Sequence, residues 1–260
     1  MSKSQKKPLI LVTNDDGVEA KGLKALIETV RPLGKVVVVA PADPHSGMSH
    51  AITVKVPLRI TKLSDENDLS VYKCYGTPVD CVKMAFNHLL PRKPDLLVSG
   101  INHGSNASTS VFYSGTMGAA LEGCINEITS IGFSLLNLHH DADFTTARYY
   151  VDIITRKVLL NGLPKTVCLN VNIPDVERQK IAGIKICRQT RGYWREEFDK
   201  RTDPAGKNYF WLTGFFHNSE PEATDTDEWA LSKHFVSIVP LHTDLTCHET
   251  LKTLNNWSFE

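Results

Sequence analysis

Two adjacent carboxylates follow the first apolar segment of the chain. The tetrapeptide Asn14-Asp15-Asp16-Gly17 comes directly after Leu9–Val12, an apolar and partly β-branched run that is typical of a buried strand. An amphipathic helix is predicted to follow at residues 23–30. In open α/β sheets, ligands bind where strands end and helices begin. Two carboxylates and a glycine at this edge therefore predict a site for a hard divalent cation.

Two further loops bring polar side chains to the same edge. One follows the apolar run Lys35–Ala40 and contains Ser46, and the other follows Leu96–Gly100 and contains Asn102 and Asn106. Right-handed connections between parallel strands place all three loops on one edge of the sheet. Carboxylate, hydroxyl and amide oxygens favour Mg²⁺ or Mn²⁺, with Ca²⁺ also open. The loops have no cluster of Cys and His, which argues against structural zinc.

A fourth segment, Tyr113-Ser114-Gly115-Thr116, begins the helix after the third strand. The unpaired N–H groups and the positive end of the helix dipole favour a phosphate at such a position. A divalent cation beside this helix would neutralise charge on a phosphoryl group and lower the pKa of a bound water. The pattern therefore predicts a phosphoryl site.

Each of these segments also has a purely structural use. The aspartate pair and the Ser114–Thr116 segment could be helix caps or turns, and Ser46-Gly47 alone is a turn sequence. His45 and His103 could protonate a leaving group or be ordinary loop histidines. Aromatic residues at Tyr72, Tyr75 and Tyr193-Trp194 could stack on a base, although packing is the favoured use. Convergence of four loops on one edge favours the functional interpretation.

The pattern of elements predicts an α/β fold. Strands alternate with helices as far as Pro174, with further strands at Ser130–Leu136 and Val167–Asn172. Shorter strands are predicted at Thr53–Val56, Arg59–Thr61 and Val71–Tyr75, with a polar turn at Ser64–Asp68. Beyond Pro174 the strands lack helices between them, which suggests hairpins: Ile181–Gln189, Tyr209–Gly214 and Phe235–Val239. We therefore divide the chain into a doubly wound core at residues 1–174 and a β-rich arm at residues 175–260. The boundary is approximate, and the arm could extend the sheet of the core or reach across to another subunit.

Composition narrows the class of protein. The chain has 29 basic and 29 acidic side chains, so no net charge favours a nucleic acid polymer or a membrane surface as partner. Its six cysteines form no CxxC pair, which predicts reduced thiols in a cytoplasmic protein. The basic N-terminus, residues 1–8, has no apolar segment and is interpreted as a solvated lead-in rather than a signal peptide. No apolar run reaches the length of a membrane span.

With these residues in place, the chain resembles the SurE family of metal-dependent survival-protein nucleotidases. The resemblance runs through most of the chain. It rests on these motifs in order: Val12-Thr13-Asn14-Asp15-Asp16-Gly17, Ser46-Gly47, Tyr75-Gly76-Thr77-Pro78, Ser99-Gly100-Ile101-Asn102-His103-Gly104, Tyr113-Ser114-Gly115-Thr116, Leu169-Asn170-Val171-Asn172-Ile173-Pro174 and Thr224-Asp225-Thr226-Asp227. The chain departs from the family in having His45 where Asn is common and Ala107–Ser110 where Gly and Asp are usual. These departures affect which base the protein is expected to prefer and the expected shape of the pocket entrance.

The resemblance implies a Rossmann-like three-layer sandwich and a homodimer or homotetramer built partly by exchanged C-terminal elements. It also implies one divalent metal ion and hydrolysis of nucleoside 5′-monophosphates, and often 3′-monophosphates. The implied metal ligands are Asp15, Asp16, Ser46 and Asn102, with both aspartates catalytic. The implied phosphate-binding residues are Asn106, Ser114, Gly115 and Thr116.

Two other functions stay open at this stage. One is hydrolysis of another small phosphoester, such as short polyphosphate or a sugar phosphate, at the same site. The other is a nucleotide-binding module without turnover, which has little need of the aspartate pair. The Asp-x-Asp-x-Thr pattern of aspartyl-phosphate enzymes is absent, which favours attack by water over a covalent intermediate.

Overall fold

The computed structural model of the chain, which describes residues 7–259, contains a central sheet of nine strands. The six residues at the beginning of the basic lead-in lie outside the described part. The central sheet consists of β1 (Leu9–Thr13), β2 (Lys35–Pro41), β3 (Ile60–Glu66), β4 (Leu69–Cys74), β5 (Leu96–His103), β6 (Ser130–Leu135), β7 (Val167–Ile173), β8 (Gly183–Ile186) and β11 (Phe235–His242). A separate antiparallel hairpin consists of β9 (Gly192–Thr202) and β10 (Asn208–Asn218).

The strands of the central sheet follow the order β3-β4-β2-β1-β5-β6-β7-β11-β8. Six adjacent strands of this sheet are parallel to one another: β4, β2, β1, β5, β6 and β7. Leu11 of β1, for example, lies opposite both Val37 and Leu97. The antiparallel pairs are β3 with β4 and β11 with β7. The carboxyl ends of six strands therefore meet at one edge, as the sequence predicts.

Helices cover both faces of this sheet. They are α1 (Lys21–Val30), α2 (Pro78–Met84), α3 (Gly115–Ile125) and α4 (Thr145–Asn161). Helix α5 (Asp227–Ser232) packs against β11, and α6 (His248–Leu254) has no buried residue. In β1, Ile10 packs with α1 and α4, whereas Leu11 packs with α2 and α3. This alternation follows from the period of two along a strand. The expected α/β three-layer sandwich is confirmed.

Several local predictions were wrong or incomplete. Thr53–Val56 is not a strand, because this segment crosses to α2, where the backbone N–H of Thr53 donates to the Asp80 carboxylate at 3.1 Å. The polar stretch Ser64–Asp68 was expected to be a turn, but its first three residues extend β3 to Glu66 and only Asn67 and Asp68 turn. Pairing with β4 keeps these polar residues in a strand.

The C-terminal region joins the same sheet. Strands β8 and β11 lie beyond the proposed boundary at residue 174, yet they extend the central sheet next to β7. The hairpin was predicted only in part, since β9 was missed, and so were α5 and α6. Within residues 7–259, no helix is both long and apolar enough to span a membrane.

Candidate active site

The two aspartates lie at the end of β1, against the start of α3. Asp15 is 3% exposed, and the Thr116 hydroxyl donates a hydrogen bond to its Oδ1. A Cβ placed on Gly115 would lie 2.8 Å from the Asp15 Cβ. The turn itself is fixed by Gly17, which has a φ of +97°, and by the Asn14 side-chain amide, which donates to the Gly17 carbonyl at 2.9 Å. The close approach of helix and carboxylate thus depends on the absence of a side chain at residue 115.

The loop that carries Ser46 is joined to the aspartate turn by a backbone hydrogen bond. The N–H of His45 donates to the Asp15 carbonyl at 2.7 Å. Ser46 itself is exposed and lines a cleft of about 410 Å³ together with Asp16 and His103. The structure therefore brings the three predicted loops together at one cleft.

The same loop is anchored on its far side to α2 and α3. The Ser49 hydroxyl donates to the Phe112 carbonyl at 2.6 Å. The imidazole Nε2 of His50 lies 3.0 Å from a carboxylate oxygen of the buried Glu122, whose other oxygen accepts from Lys83 at 2.7 Å. These anchors hold the chain on either side of Ser46, although the segment has no regular secondary structure.

The side-chain nitrogen of Asn102 is held within its own loop. Its side-chain Nδ2 donates to the Gly104 carbonyl at 2.9 Å, which leaves Oδ1 as the atom available to a cation. The next residue, His103, donates its backbone N–H to the Asp16 carboxylate at 3.4 Å. Asn102 therefore lies next to the point where the third loop meets the aspartate pair.

Two of the proposed phosphate-binding residues make hydrogen bonds within the fold. The Asn106 amide Nδ2 donates to the Ser134 hydroxyl at 2.8 Å, and its backbone N–H donates to the Asn172 side chain at 2.8 Å. The Ser114 hydroxyl accepts from the Met117 N–H at 3.0 Å and so caps α3. In this structure the Asn106 amide nitrogen and the Ser114 hydroxyl are therefore both engaged within the fold.

Burial perturbs both carboxylates, and the charge of Asp16 adds to the effect at Asp15. Burial, followed by the charge of Asp16, raises the pKa of Asp15 to about 6, although the hydrogen bond from Thr116 opposes the shift. Burial also raises the pKa of Asp16, against a hydrogen bond from the His103 backbone. Two partly desolvated carboxylates side by side are costly to ionise, and a divalent cation would offset that cost.

The raised pKa of Asp15 predicts a pH-dependent affinity for metal. Below pH 6 this carboxyl is protonated in the folded protein, and the proton competes with the cation. We expect the affinity for Mn²⁺ to be about tenfold weaker at pH 5 than at pH 7, since one pKa unit corresponds to a tenfold change. Calorimetric titration of the metal-free protein with Mn²⁺ from pH 5 to pH 8 measures this. An affinity that does not change over that range would contradict the placement of the ion on Asp15.

A family model described as survival protein SurE matches residues 10–196, which include all of the site residues above. The chain belongs to the SurE family.

Relatives and a solved structure extend the match over nearly the whole chain. Proteins named 5′-nucleotidase SurE are 54% identical in Flavobacterium johnsoniae and 51% identical in Phocaeicola vulgatus. These matches cover 96% and 98% of this chain and 97% and 99% of the relatives. The crystal structure of the SurE protein from Aquifex aeolicus has a TM-score of 0.82 and 38% identity, covering 95% of this chain and 98% of that one.

The oxygen-bearing side chains that line this cleft, Asp16 and Ser46, fit a divalent metal of the kind that the SurE family implies. Within residues 7–259, no three His, Cys, Asp or Glu side chains are grouped as a metal site. The expected SurE ligands are consistent with this finding, because only two of the four are carboxylates and the others are a hydroxyl and an amide. Ligands that are all oxygen atoms suit Mg²⁺ or Mn²⁺. Two of these oxygen ligands belong to carboxyl groups whose pKa values are raised.

The cleft contains residues that the sequence did not single out. Lys21 at the start of α1 and His140 in the loop after β6 line it together with Asp16. The loop after β6 could have been included, because it follows a parallel strand and emerges at the same edge. His103 lies in the cleft, as its position predicted, but burial lowers the pKa of its imidazole. A neutral imidazole at pH 7 is a poor general acid.

Proposed function

We propose that this chain is a divalent-metal-dependent 5′-nucleotidase that hydrolyses nucleoside 5′-monophosphates, and also 3′-monophosphates, to nucleoside and phosphate. The 5′-nucleotidase activity is supported most directly by relatives of that name at 51–54% identity over nearly the whole chain. One ion, Mg²⁺ or Mn²⁺, is held by Asp15, Asp16, Ser46 and Asn102. The contact of the Ser46 loop and the Asn102 strand with the aspartate turn supports this ligand set.

When bound, the ion would supply positive charge that offsets the negative charge of the phosphoryl group and would lower the pKa of a bound water. The protein's own groups position the carboxylate and bind the phosphate oxygens. The Thr116 hydroxyl holds one oxygen of Asp15, which fixes the direction of the carboxylate. The start of α3, at Ser114, Gly115 and Thr116, offers backbone N–H groups to phosphate oxygens, and Asn106 offers its amide. We assign both aspartates to catalysis because they set the position of the ion.

We also propose a cytoplasmic homo-oligomer, a dimer or a tetramer. All six cysteines, each within the described part of the chain, are free, as expected in a reducing compartment. The hairpin β9–β10 and the helix α6 expose large apolar side chains, among them Phe198, Phe210 and Leu251. Apolar surface of this kind is typical of subunit contacts.

Phosphate release from a panel of substrates tests the proposed function. The panel contains 5′-AMP, 5′-GMP, 3′-AMP, a short polyphosphate and ribose 5-phosphate, each with Mn²⁺ and with EDTA. We expect the nucleotides to be hydrolysed with Mn²⁺ and not with EDTA. Cleavage of polyphosphate or sugar phosphate without cleavage of any nucleotide would support the rival phosphatase, and nucleotide binding without phosphate release would support a binding module.

A further inference from the structure

A second cleft, of about 430 Å³, lies beside the proposed active site. Gly47 and Tyr113 form one side of it, and Trp194, Glu196 and Gly214 of the hairpin form the other. Gly47 directly follows the proposed ligand Ser46, and Tyr113 directly precedes Ser114 at the start of α3. The cleft therefore adjoins both the proposed cation and the proposed phosphate positions.

The hairpin side of this cleft has a gap in its row of side chains. Trp194 is opposite Phe216, and Phe198 is opposite Leu212. Between these two pairs, Glu196 is opposite Gly214, on the same face because residues alternate along a strand. Gly214 has a φ of +146°, and a Cβ there would lie 2.5 Å from the Arg195 carbonyl oxygen. A side chain at residue 214 would therefore meet the backbone of the partner strand, and the hairpin presents no side chain opposite Glu196 in this cleft.

Two aromatic rings border this cleft. Trp194 is 40% exposed, and its ring meets Phe216 edge to face with centroids 6.2 Å apart, which holds the indole in place. Tyr113 is 52% exposed, and its carbonyl accepts from the Ser49 N–H at 3.0 Å. Supported and half-exposed aromatic rings favour a flat apolar ligand that stacks on them.

The cleft also contains an acceptor without a partner of its own. Among residues 7–259, the Glu196 side chain makes no described hydrogen bond or ion pair, whereas its neighbour Arg195 contacts Tyr193 and Phe215. A carboxylate only accepts hydrogen bonds when ionised, so it favours a ligand with N–H groups. A nucleobase has these properties, because it is a flat ring system that carries N–H groups and lies next to a phosphate in a nucleotide.

Resting on the proposed nucleotidase function, we propose that this cleft binds the base of the nucleotide substrate. Trp194 stacks on the base, Tyr113 borders it, and Glu196 accepts from its N–H groups. Trp194 is then a specificity-determining residue, because it contacts the part of the substrate that other phosphomonoesters lack.

Alanine at Trp194 tests this assignment with matched substrates. Base–aromatic stacking is worth roughly 1–3 kcal/mol, so Trp194→Ala should raise KM for 5′-AMP and 5′-GMP about tenfold or more. Hydrolysis of ribose 5-phosphate, which has no base, should change by less than about twofold in kcat/KM. Trp194→Phe keeps a stacking ring and should restore most of the nucleotide KM. Trp211→Ala is the control, since Trp211 is opposite Asp199 on the other face of the same hairpin.

A binding measurement without metal separates this proposal from the proposed function. With EDTA present, 5′-AMP should quench the tryptophan fluorescence of the native chain and of Trp211→Phe, but not of Trp194→Phe. An equal loss of activity towards ribose 5-phosphate and 5′-AMP in Trp194→Ala, or unchanged quenching in Trp194→Phe, would overturn the base-binding role. Failure of the native chain to hydrolyse any monophosphate would instead overturn the nucleotidase function.

Discussion

Replacing Asp15 by asparagine is expected to lower metal-dependent turnover by about 10³-fold or more. A metal ligand contributes several kcal/mol of binding free energy, and each 1.4 kcal/mol corresponds to a tenfold change in affinity. The fold should survive. The asparagine Oδ1 can still accept from Thr116, and both causes that raise the pKa of Asp15, burial of its charge and then repulsion by Asp16, disappear. Since ionisation of a buried carboxyl with a raised pKa costs stability at pH 7, the metal-free variant should melt no lower than the native chain. Phosphate release and thermal melting with EDTA measure the two effects.

Asp43→Asn is the matched control for this prediction. Asp43 lies in the Ser46 loop but is exposed, so its replacement should change turnover by less than about twofold. Near-normal turnover of Asp15→Asn in the same assay would mean that the ion is held elsewhere.

Replacing Gly115 by alanine is expected to have the second largest effect, although the substitution adds only one methyl group. The new Cβ would lie 2.8 Å from the Asp15 Cβ and 3.0 Å from its Oδ2. Either the Asp15 carboxylate or the start of α3 must move, and the displaced carboxylate would bind a cation less well. We therefore expect Mn²⁺ binding to weaken at least about tenfold. Overpacking should also cost about 1–3 kcal/mol of stability. Calorimetry with Mn²⁺ and chemical denaturation measure the two effects.

Gly123→Ala separates the site from simple overpacking. Gly123 is in the same helix, and a Cβ there would lie 2.4 Å from the Ser130 hydroxyl and 2.9 Å from Leu97, away from the aspartates. Its stability should fall by a similar amount while Mn²⁺ affinity stays within about twofold. Equal losses of Mn²⁺ affinity in both variants would show that Gly115 has no special relation to the site.

The sequence predicted the sheet and its functional edge because both depend on local patterns. Continuous apolar runs such as Lys35–Ala40 identify parallel strands covered on both faces, and the polar residues after each run mark the carboxyl edge. The ends of the parallel strands within residues 1–174 were correct to within about three residues, and the largest difference is that β5 continues through Asn102 to His103, where its register with β6 shifts.

The contacts that define the site could not be read from local patterns. Thr116 binds Asp15 across 101 residues of chain, and Gly115 matters only because α3 begins against that carboxylate. Strand β9 was missed because its charged residues alternate with few apolar ones, which is possible in a two-stranded hairpin that covers no core. The position of Trp194 beside Gly47 depends on how that hairpin folds back, which no spacing predicts.

Anomalous scattering from a crystal of this protein soaked in Mn²⁺ tests the central claim most directly. We expect one strong peak between Asp15, Asp16, Ser46 and Asn102, at about the 2.0–2.2 Å typical of small divalent cations and oxygen ligands. A peak bound to histidine or cysteine side chains, with Asp15 and Asp16 left without an ion, would contradict it.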